Sequence, residues 1–253
     1  MSDFSIAGRV AVVTGGGTGI GNHIATGLAA AGATVVIAGR RKDVAEAAAA
    51  KLRDAGHAAE AMTVDVTSVA DITRLFGDVA ARHGKLDILV TSAGTNRRKA
   101  MLDYDEASWD AVVGTNLKGA FFTAQAAARV MKTGGYGRIL HVGSVASKLA
   151  APMQSGYCAS KSGLDRVTMV MAIELAPLGI TANVIGPGPF RTPLNEHLFS
   201  DPDWIQRTVS RLPMGRVGAA HDIAGLAVFL ASPAAAYITG QVIYVDGGLS
   251  TGN

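Results

Sequence analysis

The chain has 253 residues, 49% of them hydrophobic and 17% charged, with 31 glycines and few aromatics. That composition excludes a disordered or fibrous chain and fits alternating strands and helices around a sizeable core. A formal charge of +3 argues against a nucleic-acid partner, because the basic runs Arg40-Arg41-Lys42 and Arg97-Arg98-Lys99 are short and far apart; small anions are the expected targets.

In chain order, short β-branched runs alternate with alanine-rich amphipathic stretches. Strands are predicted at 10–13, 34–38 and 61–64, each followed by a helix, at 20–31, 43–55 and 69–82. The rhythm continues with a strand at 86–90, a long helical region at 106–131 and a strand at 138–142. A helix at 155–178, a strand at 181–185, a helix at 223–231 and a strand at 242–245 complete it. Continuous apolar strands are those covered on both faces, so the pattern predicts an α/β fold. We expect a single doubly wound Rossmann domain over 1–253, its seven-stranded parallel sheet having helices on both faces. Residues 186–214 break the rhythm with prolines and polar side chains. An excursion of that length after a strand's carboxyl end predicts a substrate-side flap.

Cys158 is the only cysteine, so no intrachain disulfide can form, and the six histidines show no zinc-binding spacing; a metal-free, cytoplasmic protein is expected. No formal charge falls between residues 10 and 39, but glycines, Asn22 and His23 interrupt that run. Residues 1–9 lack a basic segment followed by an apolar one, so neither a membrane span nor a targeting signal is predicted.

The first strand runs into Thr14-Gly15-Gly16-Gly17-Thr18-Gly19-Ile20-Gly21, which opens a helix. Glycines there let bare backbone N–H groups approach a pyrophosphate at the helix's positive end. An NAD-preferring site normally ends its second strand in an acid about 20 residues further on. Here that position is Gly39, followed by Arg40 and Arg41. A guanidinium can hold a 2′-phosphate that a carboxylate would repel, so NADP(H) is the preferred cofactor, with NAD(H) as the second choice.

Ser144, Tyr157 and Lys161 form the strongest chemical pattern, with twelve residues between the first two and three between the last two. A helix puts Tyr157 and Lys161 on one face, where the ammonium is expected to lower the phenol's pKa. Tyr157 can then give or take the proton as a hydride moves at the adjacent carbon, while Ser144 bonds the substrate oxygen.

The TGxxxGxG turn with this Ser-Tyr-Lys spacing resembles the short-chain dehydrogenase/reductase family over essentially the whole chain. The resemblance implies that Asn116 is a fourth catalytic residue ordering a water, that Lys161 holds the nicotinamide ribose, and that Asp65, with Val66 beside it, bonds the adenine. It also places Pro187, Gly188 and Thr192 against the nicotinamide, matches Val245-Asp246-Gly247-Gly248 to the family's closing strand and turn, and implies a homotetramer. Where relatives have Asn-Asn-Ala-Gly, this chain has Thr91-Ser92-Ala93-Gly94. Ala93 and Gly94 still permit close approach to the cofactor, but the missing asparagines put local sheet contacts in question. The paired arginine of Asn96-Arg97-Arg98, just beyond, resembles the gluconate and deoxygluconate dehydrogenases of the family, as does the region 204–218. Since neighbouring side chains of an extended loop point to opposite sides, one arginine, Arg98, is expected to face the site. An aldonate carboxylate suits the guanidinium fork of Arg98, and its hydroxyls suit Asn96 and Ser144. The alternatives are a 3-oxoacyl-carrier-protein reductase, with Arg129 and Lys132 as a weak docking patch, and a catalytically silent NADP sensor.

Overall fold

Alternation along each strand sends side chains to two separate cores. In β1 (Val10–Thr14), Ala11 and Val13 join the core under α1 (Gly19–Ala30), α2 (Lys42–Asp54) and α8 (Ala220–Ala231), while Val10 and Val12 face the other side. That second core lies under α3 (Val69–His83), α5 (Ala120–Met131) and α6 (Ser155–Leu175). The computed structural model describes residues 3–251, so the four terminal residues of the expected 1–253 domain lie outside the described residues.

The other strands are β2 (Thr34–Gly39), β3 (Ala59–Thr63), β4 (Ile88–Thr91), β5 (Gly137–Val142), β6 (Ile180–Pro187) and β7 (Val242–Val245). All pair in parallel in the order β3-β2-β1-β4-β5-β6-β7. The order reverses between β1 and β4, and a ligand crevice belongs outside the carboxyl ends of those two strands. The expected seven-stranded, doubly wound architecture is the one observed.

Two elements differ from the sequence expectation. Where one helix is predicted over 106–131, α4 (Glu106–Val113) and α5 are separated by a π-turn, Gly114–Gly119. The π-turn ends at a close approach: a Cβ on Gly119 would stand 2.7 Å from the Val66 carbonyl oxygen, so the chain passes too close to the loop after β3 for a side chain. Within 186–214, the first two residues belong to β6 and a further helix forms, α7 (Pro202–Val209). Its start is locally encoded, since Asp201 accepts from the Asp203 and Trp204 backbone N–H groups and Pro202 occupies the first turn.

Gly179 joins the end of α6 to β6 in a left-handed conformation, φ +73°, and a Cβ there would meet the Gly135 carbonyl oxygen at 2.3 Å. Gly56 also has positive φ, +84°, but stands in open space. Gly56→Ala should therefore cost about 1 kcal/mol of backbone strain, and Gly179→Ala roughly 2 kcal/mol or more because the clash adds to it. Urea midpoints at unchanged m-value measure the difference; equal shifts for the two variants would contradict the packing account.

Candidate active site

A cavity of about 640 Å³ opens at the carboxyl ends of β1 and β4. Its first wall is the glycine turn. Gly15 has φ +71°, and a Cβ on it would lie 2.6 Å from the Ala93 backbone nitrogen, so only glycine lets the ends of β1 and β4 come together. Gly15, Gly17, Thr18, Gly19 and Ile20 line the cavity. Gly21 does not; it is buried one turn inside α1, where a Cβ would strike the Gly15 carbonyl oxygen at 2.5 Å. Thr18 caps α1 without a side-chain bond, and the first turn holds no acid. The helix's positive end thus faces the cavity without a side-chain acceptor from the chain, as an anion site requires.

Arg40 and Arg41 line the cavity at the end of β2, both exposed and, among the described residues, without an ion-pair partner. Gly39 beside them has nothing within 4 Å of a Cβ position, so an acid would fit there. Asp65 and Val66 line the next stretch. The Thr67 backbone N–H, with help from its hydroxyl and from Arg40, holds the Asp65 carboxyl below its ordinary pKa, against the opposing effect of burial.

Ala93 and Gly94 complete this side of the cavity. The sheet contact left in question by Thr91 and Ser92 is made differently: Thr91 pairs with His141 in register, and its Oγ1 lies 2.6 Å from His141 Nδ1. Ser92 N–H donates to the Thr14 carbonyl.

The opposite wall carries the proposed chemistry. Ser144 follows β5 in extended conformation and caps the short turn Val145–Ser147, its Oγ accepting from the Ala146 N–H at 3.1 Å. Tyr157 lies in the first turn of α6, and Lys161 one turn later is 6% exposed. Lys161 Nζ donates to the Val142 carbonyl at 2.7 Å and stands 5.7 Å from the centre of the Tyr157 ring. Ser144, Tyr157 and Lys161 all line the cavity.

The expected lowering of the tyrosine is not what the chain alone produces. Burial pushes the Tyr157 phenol above its ordinary value, and the neighbouring Ser144 hydroxyl only partly offsets this. Lys161 is the shifted cation instead: burial lowers it to about 8, with Asp165 on the next turn opposing the change. The ammonium is tied to the Val142 carbonyl and stands over the Tyr157 ring, and burial favours both the neutral lysine and the protonated phenol.

Asn116, in the π-turn, is 1% exposed and lies outside the cavity lining. Its Oδ1 accepts from the Thr95 N–H at 2.8 Å, and its Nδ2 donates to the Thr95 carbonyl at 2.9 Å and to Ser160 Oγ at 3.2 Å. Ser160 Oγ in turn donates to the Tyr157 carbonyl. The side chain therefore clamps the loop after β4 to the helix turn that carries Tyr157.

Pro187, Gly188 and Thr192 line the third wall, together with Phe190, Pro193, Leu194 and Asn195, which the sequence did not single out. Asn195 Oδ1 accepts from the Thr192 N–H and hydroxyl, and Asn195 Nδ2 donates to the Phe190 carbonyl, closing a local turn whose Thr-Pro-x-Asn pattern was readable in advance.

Asn96 and Arg98 lie outside the lining of this cavity. Asn96 Nδ2 donates to Gln154 Oε1 at 3.5 Å, while its buried Oδ1 has no partner. Lys99 N–H donates to the Met153 carbonyl, and Met153 holds a left-handed φ of +64°, unique among the described non-glycine residues. Arg97 folds back on Thr95 Oγ1 and the Asn96 carbonyl, whereas Arg98 is exposed with no hydrogen-bonded side-chain partner among the described residues. No helix among the described residues is long and apolar enough to cross a membrane.

The family model described as enoyl-(acyl carrier protein) reductase matches residues 15–250. Gluconate 5-dehydrogenase of Gluconobacter oxydans is 36% identical over 98% of this chain and 96% of its own length. The 3-oxoacyl-[acyl-carrier-protein] reductase of Escherichia coli is 36% identical over 96% and 97%. A crystal structure of gluconate 5-dehydrogenase from Burkholderia cenocepacia, in complex with NADP and tartrate, superposes with a TM-score of 0.95 at 40% identity, covering 99% of this chain and 98% of that one. Matched over nearly its whole length in sequence and in structure, this chain belongs to the short-chain dehydrogenase/reductase family of NAD(P)-dependent oxidoreductases.

Proposed function

We propose that the chain transfers a hydride between NADP(H) and the secondary alcohol or ketone of a sugar acid such as gluconate or a keto-gluconate. The free Arg98 guanidinium carries the substrate half of this reading. The bonds from Lys99 to Met153 and from Asn96 to Gln154 hold its loop against the entry to α6, the helix whose first turn bears Tyr157. A carboxylate bound there would leave the sugar hydroxyls facing Asn96 and Ser144. Named gluconate dehydrogenases among the relatives support the same class.

The residues present fit the cofactor: an uncapped helix end for the pyrophosphate, Arg40 and Arg41 for a 2′-phosphate, and Asp65 for the adenine. Ala93, Gly94, Pro187, Gly188 and Thr192 would enclose the nicotinamide side. When bound, the nicotinamide supplies or accepts the hydride. Tyr157 moves the proton at the substrate oxygen and Ser144 donates a hydrogen bond to that oxygen. Lys161, already labile near pH 8, returns the proton to Tyr157 and would also hold the ribose. The segment 186–214 serves as the flap that shields this chemistry from water. Exposed Val170 and Ile173 on α6, with Trp109 on the adjacent α4, support assembly into a homotetramer, and a cytoplasmic location goes with this reading.

A carrier-protein reductase is less well supported. Arg129 and Lys132 stand at the end of α5 that precedes the start of β5, the end of the sheet opposite Ser144, too far away to guide a carrier to the cavity.

Tyr157→Phe should abolish turnover and leave cofactor affinity within a few-fold, measured by steady-state kinetics and fluorescence titration. More than a tenth of wild-type activity would remove Tyr157 from the proton's path. A charge-assisted bond of about 1.5 to 3 kcal/mol predicts a roughly ten- to hundredfold preference for NADP over NAD. Gly39→Asp with Arg40→Ala should reverse that preference, and equal efficiencies in the wild type would overturn the assignment. Arg98→Ala should raise KM for gluconate far more than for a neutral polyol of equal length, since only the acid loses an ion pair. Parallel losses on both substrates, or no activity on any sugar acid, would defeat the sugar-acid reading.

A further inference from the structure

We propose that Tyr244 is a positioning residue for Ser144: its hydroxyl donates to Ser147 Oγ, and Ser147 in turn holds the Ser144 carbonyl, so the closing strand β7 aims the serine that bonds the substrate oxygen. The inference rests on the proposed role of Ser144 and adds the residues that direct it.

Strand alternation puts the Tyr244 side chain on the α6 face of the sheet, because its neighbours Ile243 and Val245 pack against the core under α1 and α8. Tyr244 pairs in register with Gly186 of β6, and a Cβ on Gly186 would stand 2.5 Å from Tyr244 Cδ1, so the ring occupies the space a side chain there would need. Lys148 Nζ stands 5.6 Å from the centre of the same ring. These contacts are made by the ring and would survive the loss of its hydroxyl.

The hydroxyl itself lies 3.2 Å from Ser147 Oγ. Ser147 Oγ is 2.9 Å from the Ser144 carbonyl oxygen, which can only accept, so the Ser147 hydrogen goes there. Tyr244, with no other hydrogen-bond partner among the described residues, then donates to Ser147. The Ser147 backbone N–H reaches the same Ser144 carbonyl at 3.0 Å. From the other side, Ser162 Oγ of α6 donates to the Ser147 carbonyl at 3.1 Å. Ser147 is thus gripped both by β7 and by the helix that carries Tyr157 and Lys161.

The consequence falls on the Ser144 hydroxyl. Its Oγ accepts from the Ala146 N–H at 3.1 Å, which leaves its own hydrogen free for a substrate oxygen in the cavity. With the carbonyl of the same residue held by Ser147, the Ser144 backbone cannot rotate without breaking bonds at both ends of the turn Val145–Ser147. Asp165 of α6 is a nearby competitor for the Ser147 hydrogen, but its Oδ1 has no hydrogen-bond partner, and the bond within reach is the one to Ser144. The end of β7 braces the neighbouring wall as well, since the Gly188 N–H donates to the Val245 carbonyl at 2.9 Å.

The test uses the whole protein with NADP and gluconate. Tyr244→Phe should lower kcat by about three- to tenfold, the size of one hydrogen bond, and leave KM for gluconate and affinity for NADP within about twofold. Ser147→Ala should match it, and the two together should lose no more than either alone, while Ser147→Thr, which keeps the hydroxyl, should restore the rate. In a Ser144→Ala background, Tyr244→Phe should change nothing further, because no hydroxyl is left to aim. Wild-type kcat in Tyr244→Phe, or the same fold loss with and without the Ser144 hydroxyl, overturns the inference. A second readout needs no substrate: deuterium exchange at the Ser147 amide, which donates to the Ser144 carbonyl, should quicken severalfold in Tyr244→Phe while the amides of α6 keep their rates. Unchanged exchange at Ser147 would overturn the inference too. Full activity in Ser144→Ala, or no turnover of gluconate by the wild type, would undo the proposed function, and the exchange comparison would still decide the bond from Tyr244, so the two failures are distinguishable.

Discussion

The backbone contact between Gly15 and Ala93 sets the geometry on which the rest of the site depends. β1 and β4 are neighbours in the sheet, and their chains part only after they have come within a distance that forbids a methyl group. Because the strands touch and then diverge, the uncapped end of α1 opens onto the crevice on one side. On the other, the chain past Gly94 reaches Asn116, which grips Thr95 by both its N–H and its carbonyl. A glycine turn of this kind has the free N–H groups that suit an anion, and it also sets where the chain past Gly94 begins.

Under that loop the site rests on buried polar groups, and their partners decide which are costly. Lys161 is buried without a carboxylate within ion-pair distance, and it responds by lowering its own pKa. The polar chain from Thr95 through Asn116 and Ser160 to the Tyr157 carbonyl makes the orientation of the tyrosine turn depend on the loop after β4. Several polar atoms nearby stay unpaired, among them Asn96 Oδ1, His141 Nε2 and Asp165 Oδ1. Orphaned atoms of this sort destabilise a resting fold by about 1 to 3 kcal/mol each, and they are kept where function needs them.

Much of this was legible in the sequence, and the parts that were not share a cause. Strand and helix order followed from periodicity, and the Ser144, Tyr157 and Lys161 spacing was enough to bring three distant side chains to one cavity. The π-turn at Gly114–Gly119 leaves no mark in the local periodicity, because residues 106–131 by themselves read as one helix and the close approach of Gly119 to Val66 is made across the fold. α7 was written locally in Asp201-Pro202 but masked by the surrounding prolines. The direction of the Tyr157 shift was misjudged for a physical reason: i,i+4 spacing brings a lysine near a phenol, but the Val142 carbonyl takes the ammonium and burial acts on both groups.

The proposed function places affinity and selectivity on different parts of the chain. Backbone N–H groups at α1 present the same dipoles to any dinucleotide, so they bind without discriminating. In the proposed function, discrimination falls to exposed guanidiniums on separate loops, Arg40 and Arg41 after β2 and Arg98 after β4. An exposed ion pair in water is worth only about 0 to 1 kcal/mol, too little for strong selectivity. A guanidinium that meets a phosphate or carboxylate bidentately, with water partly excluded by the bound molecule, is worth more. On the proposed function, each arginine would become selective only when its own ligand covers it, and the two choices, which cofactor and which acid, could change independently while Ser144, Tyr157 and Lys161 stay as they are.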